Sequence, residues 1–370
     1  MLPSELLAEG EHLMTVCNSC RYCEGFCAVW KAMETRLEFK ENDLNYLANL
    51  CHNCGECFYA CQYSPPHEFA INPPQTLAKI RVHSYEQYAW PRPLAKAFRW
   101  NGLLVSLVMV VVLTGFMMAA SLTLRGRLFE AVRGGNFYAI VPHAVMTLTF
   151  MAVGLFAMAA LIVGFLRFWK NVGESYATLA KPGALATAFK DIFSLVNLDN
   201  GGDGCSYPTE KSSESLRWLH HATFYGFLSC FVATSLGFVY YYVFGEHGPP
   251  GYTSLPVIFG SVGGIGLVIG PLGLWGLMQR RNPDLVDKKQ TGMDLSFILL
   301  LILVSVTGLL LLVSRESAAM GTLLIVHLSM VMTLFITMPY GKFVHGIYRS
   351  GALLKWALER SRSVSSGSAT

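Results

Sequence analysis

The chain has 370 residues, of which 53% are hydrophobic and only 14% charged, with a formal net charge of +4. That balance lies far from the average of soluble domains and excludes an ordinary globular enzyme. The charge is mild and its basic residues gather beside apolar stretches, so it gives no ground for a nucleic-acid partner.

The opening Met-Leu-Pro-Ser-Glu lacks a basic n-region followed by an apolar h-region, so no signal peptide is expected and the first domain should stay where it is made. Eight of the ten cysteines fall between Cys17 and Cys61. In a reducing cytosol such crowding points to metal or redox ligation rather than disulfides. The eight form two runs of identical spacing, Cys17-x2-Cys20-x2-Cys23-x3-Cys27 and Cys51-x2-Cys54-x2-Cys57-x3-Cys61, displaced by 34 residues. In this spacing three thiolates hold three irons of a cubane cluster while the fourth cysteine reaches across to the other cluster. The pattern therefore predicts one [4Fe–4S] centre on Cys17, Cys20, Cys23 and Cys61, and a second on Cys51, Cys54, Cys57 and Cys27. A zinc site would more often use paired two-cysteine knuckles. Eight cysteines already complete two cubanes, so His52 and His67 are expected in supporting or surface positions.

Between the runs, Lys31 to Asn49 is rich in helix formers, with Leu37, Leu44, Leu47 and Leu50 at near-helical intervals. The head, residues 1–95, is thus expected to be a helical dicluster domain rather than a small β-rich ferredoxin. Pro65-Pro66, Pro73-Pro74 and Pro91-Arg-Pro93 punctuate the chain as it leaves the cysteines.

After Arg99-Trp100 six apolar stretches follow, near 101–124, 137–168, 216–244, 255–279, 294–313 and 319–344. At about 1.5 Å per residue each can cross a hydrocarbon core of roughly 30 Å. Residues 96–348 are therefore expected to form a transmembrane domain of six helices, and the whole chain to be all-α. Lys170, Lys181, Lys190, Lys211, Arg217, Arg280, Arg281, Lys288 and Lys289 mark one side of the membrane. Only Arg125, Arg127, Arg133 and Arg315 mark the other. This asymmetry predicts an inner-membrane, multi-pass protein with both termini cytoplasmic. Residues 349–370 are expected to be a cytoplasmic tail, with 363–370 a disordered end.

Histidines within spans are costly and usually functional, and imidazole is a common axial ligand of low-spin haem. His327 and His345 are 18 residues apart in the sixth stretch. On one continuous helix they would share a face about 27 Å apart. Alternation of the helices levels His345 with His220 and His221, and His327 with His143, which predicts one or two bis-histidine b-type haems. His220 and His221 point about 100° apart on a helix, so only one can readily face the bundle; His221 is the preferred ligand and His220 its alternative. Lys342, Tyr340 and Arg217 lie where they could bind quinone. Cys205 and Cys230 are expected to be a loop thiol and a small core residue.

The last four helices resemble the haem-b membrane subunit of respiratory nitrate reductase, which carries two histidines 18 apart on one helix, as His327…Pro339-Tyr340-Gly341-Lys342…His345 does here. In that family the partner helix has histidines ten apart, whereas ten residues beyond His220 or His221 this chain has Cys230 or Phe231. Over its whole length the chain is similar to the tricarballylate- and citrate-utilisation protein B family. The shared features are the two cysteine runs, the Pro-Pro-His-Glu-Phe-Ala-Ile-Asn-Pro-Pro segment from Pro65 to Pro74, and Gly201-Gly-Asp-Gly-Cys-Ser-Tyr-Pro208 ahead of Arg217-Trp-Leu-His-His221. The resemblance implies a protein that reoxidises the FAD of a partner dehydrogenase docked on the head and passes its electrons to membrane quinone. Two other readings stay open from the residues: a membrane subunit of another respiratory or disulfide reductase complex, and a solute transporter whose clusters sense redox state.

Overall fold

The computed structural model describes residues 1–199, 204–206 and 211–367, with the backbone alone for 363–367. Among the described residues there are helices and turns but no strand, only an isolated antiparallel bridge between Cys205 and Ser213.

The head is built from α1 (Ser4–Cys20), α2 (Ala28–Met33), α3 (Glu41–Leu50), α4 (Glu56–Tyr59) and α5 (Pro73–Tyr88). α1 stops at Cys20, α2 starts after Cys27, and α3 stops before Cys51. Arg21 adopts a left-handed conformation, φ 54°, and its N–H closes on the Cys17 carbonyl, so α1 ends at Cys20 and the chain can turn to present Cys23. Asn72 accepts from the Gln75 N–H at 3.2 Å with Pro73 and Pro74 in the first turn, which starts α5 sharply after the second run. Leu13, Met14, Trp30, Met33, Leu44, Leu47, Leu50, Leu77 and Ile80 fill the centre. The segment Lys31–Asn49 is not one helix: the chain breaks after Met33 and restarts at Glu41, which leaves Leu37 95% exposed while Leu44, Leu47 and Leu50 are buried.

Six helices are long and apolar enough to cross a membrane. They are α6 (Arg92–Leu124), α7 (His143–Asn171), α9 (Ser215–Tyr242), α10 (Leu255–Gln279), α11 (Thr291–Val313) and α12 (Met320–Thr337); α8 (Pro182–Ser194) is a shorter helix between the second and third. Val111, Val112 and Phe116 of α6, Leu148 and Leu155 of α7, and Val262 and Ile269 of α10 point outwards, a surface suited to lipid. α6 is kinked at Asn101, whose side chain accepts the Leu104 N–H at 3.0 Å and starts the apolar part as a fresh helix. The closest packing is between α9 and α10. A Cβ on Gly226 would come within 3.0 Å of the Gly263 carbonyl, and one on Gly263 within 2.7 Å of Cys230 Sγ. Small residues that let backbones approach are the usual basis of helix association in lipid.

One expectation is corrected here. The sixth stretch is not a continuous helix through His345. α12 ends at Thr337, the Tyr340 and Gly341 N–H groups fold back onto the Thr337 carbonyl, and α13 (Val344–Gly367) starts afresh. Pro339 lacks the N–H that the next turn would need. His327 and His345 therefore belong to separate helices. The segment from 349, expected as a cytoplasmic tail, is helical and packed rather than extended into solvent: Ala352, Leu353, Leu354, Trp356, Ala357 and Leu358 are buried as α13 packs against α3 of the head, α7 and α8. Of the expected disordered end, the backbone of α13 continues to Gly367, and residues 368–370 lie outside the described residues.

α13 joins head to membrane domain with polar as well as apolar contacts. Glu359 accepts from Arg36 at 2.6 Å and from the Tyr46 hydroxyl at 3.1 Å, both in the head. Lys355 donates to the Val172 carbonyl at 2.5 Å, and Arg362 grips Glu174 with two bonds of 2.9 and 2.8 Å. The Tyr348 ring meets Tyr85, Tyr88 and Phe168, so one apolar core runs across the junction.

Candidate electron-transfer site

The two cysteine runs exchange their last members in space. Cys17 and Cys20 close α1, Cys23 follows in the turn, and Cys61, from the second run, comes to them after α4. Burial, then charge at Cys61, Cys23 and Cys20, pushes the Cys17 thiol far up; burial, Cys61 and Cys20 push Cys23 up to about 12. Cys27, from the first run, sits with the second: burial raises its pKa first, then Cys54 and Cys51. Cys57 is raised by burial, Cys54, Cys51 and Cys27 in that order. Such groups are mutually unfavourable as bare thiolates and need a cation among them.

Their surroundings suit an iron–sulfur cubane better than a lone ion. No three His, Cys, Asp or Glu side chains among the described residues are grouped tightly enough to hold a single metal ion. Cys17, Cys20, Cys23, Cys57 and Cys61 instead line one cavity. N–H donors face the sulfurs: Asn53 N to Cys51 Sγ at 3.3 Å and Tyr63 N to Cys61 Sγ at 3.4 Å. Such bonds stabilise negative charge on cluster ligands.

The second set abuts the membrane domain and the loop that leads into it. Gly55, at φ +91°, carries the chain between Cys54 and Cys57, and a Cβ there would lie 3.1 Å from Leu285 Cδ1 and 3.3 Å from the Ser206 carbonyl. The Ser206 N–H and hydroxyl both donate to Glu56, the former at 3.1 Å. Cys205, fully buried, lies against Cys54, and that contact lowers the Cys54 pKa. Cys205 is thus a neighbour of a proposed ligand. The residues themselves gave no sign of this, because the contact spans the long loop between α8 and α9. The motif around it falls partly on 201–203 and 207–208, which lie outside the described residues.

Beneath the second set lie the histidines. His52 is half-buried, and desolvation, then the charges of Arg349 and His220, hold its pKa well below the usual histidine range. His220 and His345 face each other edge to face with ring centroids 6.0 Å apart. His345 Nδ1 is 2.5 Å from the Lys342 carbonyl, which leaves Nε2 to point away. Of the two adjacent histidines, His221 stacks on Tyr225 of its own helix at 5.5 Å, and His220 takes the position facing His345. The two are neighbours on a helix whose faces are almost equally apolar, so periodicity could not choose between them.

The outer histidines have separate partners. His143 stacks on Tyr241 at 3.5 Å, beside Tyr138 and Tyr242. His327 Nδ1 lies 3.1 Å from both Thr307 Oγ1 and the Val304 carbonyl of α11. No observation of the structure supports a ligand shared by this pair. The three residues named for quinone are engaged as well. Lys342 pairs with Asp294 at 2.8 Å, the Tyr340 hydroxyl donates to the Trp90 carbonyl at 3.1 Å, and Arg217 pairs with Asp199 at 2.9 Å.

A cysteine-rich helical head seated on six membrane-length helices defines a membrane-associated protein of ferredoxin-like organisation. The chain belongs to the citrate utilization protein B family. That family's profile matches residues 100–366, and the profile of its Fer4-like domain matches residues 10–87. The chain is 46% identical over 361 residues to citrate utilization protein B of Escherichia coli, covering 97% of this chain and 94% of that protein. No solved structure matches.

Proposed function

We propose that the chain is an electron carrier of the cytoplasmic membrane, taking electrons from the FAD of a dehydrogenase docked on the head and delivering them to quinone through two [4Fe–4S] clusters and one haem b. The observation that carries the proposal is the order of its parts: first cysteine set, second cysteine set, His52, then the facing pair His220 and His345. Clusters and haem would supply one-electron redox steps, which suit the emptying of a two-electron flavin.

The chain's own residues fit these roles. Cys17, Cys20, Cys23 and Cys61 would hold the cluster nearer the surface, where Tyr22 is 68% exposed, so this end suits the partner. Cys27, Cys51, Cys54 and Cys57 would hold the inner cluster, beside Cys205, Ser206 and Leu285. An imidazole nitrogen lies about 2 Å from a metal it ligates, so two rings flanking one ion have centroids roughly 6 Å apart. His220 and His345 meet that spacing, and the Lys342 carbonyl fixes the ring of His345 as carbonyls usually fix metal-bound histidines. His143 and His327 do not fit a second haem, and no role is assigned to them. The Lys342, Tyr340 and Arg217 region remains the proposed side of quinone contact, on its position level with this pair. The excess of Lys and Arg on the same side supports cytoplasmic termini.

The test is a visible spectrum of anaerobically purified protein, oxidised and reduced, with iron, labile sulfide and haem measured on one sample. About eight irons and eight sulfides per chain with a reduced b-type band is the expected result. Clusters without haem would turn the proposal to direct cluster-to-quinone transfer, and absence of both would end it.

A further inference from the structure

The second cysteine set has buried positive charge beside it that the rest of the fold does not balance. Arg81 of α5 is 2% exposed and donates through Nη1 to the Cys51 carbonyl at 2.5 Å and the Ala48 carbonyl at 3.3 Å. Arg349 of α13 donates to the same Cys51 carbonyl at 2.7 Å, and its Nε is sealed from solvent with no hydrogen-bond partner. Among the described residues neither guanidinium pairs with a carboxylate. Asp294, which bears on nearby Tyr85, is taken by Lys342 at 2.8 Å.

Two arginines converging on one carbonyl repel each other. Burial and then Arg81 pull the Arg349 pKa down to about 10, while negative charge at Tyr85 and Cys51 opposes this. Arg81 is buried and Arg349 half-buried, and a guanidinium largely shielded from water without a carboxylate is costly, so the arrangement calls for an anion on the Cys51 side. The first set has no such pair: the charged residues lining its cavity, Arg21 and Glu24, are exposed and of opposite sign. Glu56 bears on Cys23 of the first set and on Cys54 of the second, so it does not distinguish them.

We infer that Arg81 and Arg349 are positioning charges that raise the reduction potential of the inner cluster above that of the outer one, and so draw each electron from the head towards the membrane. The inference rests on the reading of the eight cysteines as ligands of two [4Fe–4S] clusters. A cluster held by four thiolates is anionic, and accepting one electron from its neighbour adds one negative charge. Fixed positive charge in a dry site favours that reduced form. The outer cluster gives up the same electron and is oxidised, so the step balances without a further reactant. Arg349 also links the two domains: the side chain that sets the potential comes from α13, and the sulfurs come from the head.

The test is an anaerobic redox titration of the full-length protein in detergent, followed by electron paramagnetic resonance of the reduced clusters. Two midpoints are expected, the higher belonging to the inner cluster. In Arg349→Gln the higher midpoint should fall enough to cut the equilibrium constant for outer-to-inner transfer at least tenfold, about 59 mV for one electron. Arg349→Lys, which keeps the charge, should restore most of it, and the lower midpoint should stay in place. If neither midpoint moves while iron and sulfide are intact, or if the lower one moves instead, the inference is overturned. Should Arg349→Gln lose its inner cluster, Arg81→Gln carries the same expectation. Loss of iron from both would make the arginines structural supports and also overturn it. Absence of iron and sulfide from the unaltered protein would instead sink the cluster reading itself, which is a separate outcome.

Discussion

His220 and His345 come from helices distant in sequence, yet their rings stand edge to face at 6.0 Å, both half-buried. If they share one haem iron, His220→Ala and His345→Ala should each remove the haem band from purified protein. His221→Ala should retain it, because that ring lies on Tyr225. Equal loss of haem in His221→Ala would put the ligand on the other face of α9.

The exchange of cysteines between the runs predicts a crossed phenotype. Cys61→Ser should damage the outer cluster, and Cys27→Ser the inner one, although each lies in the other's run. Iron should fall from about eight to about four per chain in each variant, with different resonance signals lost. If Cys61→Ser instead lost the signal that Cys54→Ser loses, and Cys27→Ser the one that Cys17→Ser loses, each run would keep its own four ligands.

That Cys61 lies with the first run and Cys27 with the second agrees with the repeated short spacing read in the sequence. The six spans were legible there too, since lipid demands long apolar runs. What escaped depended on contacts between distant segments. The turn of His220 rather than His221 towards His345 is decided by packing across helices, not by the apolar pattern of α9. The packing of α13 is of this kind: Lys355 and Arg362 are spent on Val172 and Glu174, and the apolar face between them is buried. The break after Thr337 had a local sign in Pro339, which the even spacing of the two histidines masked.

Cys205 offers a third prediction. Its single S–H proton has two acceptors, the Leu198 carbonyl at 3.1 Å and the sulfur of Cys54. A thiolate is the stronger acceptor of the two. Cys205→Ala should keep both clusters under anaerobic conditions but lose the inner one several-fold faster in air, followed by bleaching of the cluster absorbance. An unchanged rate of bleaching would reduce Cys205 to a space-filling residue.

Glu359 should be a strong stability determinant at the junction. Its carboxylate serves Arg36 and Tyr46, and the side chains of the Arg36–Glu359 pair are 10% and 17% exposed. Glu359→Ala leaves a largely buried guanidinium with one fewer partner. The expected cost is about 2–4 kcal/mol, near the lower end for broken buried pairs. A denaturation midpoint in detergent would report it, and an unchanged midpoint would show that Asp43, at 2.9 Å from Arg36, suffices alone.

Glu174 gives the junction a pH dependence. Burial opposes its ionisation, but bonds and charge from Arg362, then Lys355, win and hold its pKa below 4.5. A carboxylate depressed in the folded state stabilises the protein above its unfolded pKa, and that stability is lost as pH falls through the folded value. Stability should therefore drop below about pH 4.5, and Glu174→Gln should flatten that part of the profile. A wild-type profile already flat across this range would contradict the assignment.

The seating of α13 between head and membrane helices has a consequence for how far an electron must jump. Hops between redox centres slow steeply as the gap widens, so a carrier whose stations ride on independently swinging bodies transfers only in its closest pose. Here Tyr348, Lys355 and Glu359 weld the cysteine sets and the histidine pair into a single frame. On the electron path proposed above, the spacing of the inner stations is then a constant of the fold, and the distance left for a cell to regulate is the one between the head and the proposed partner.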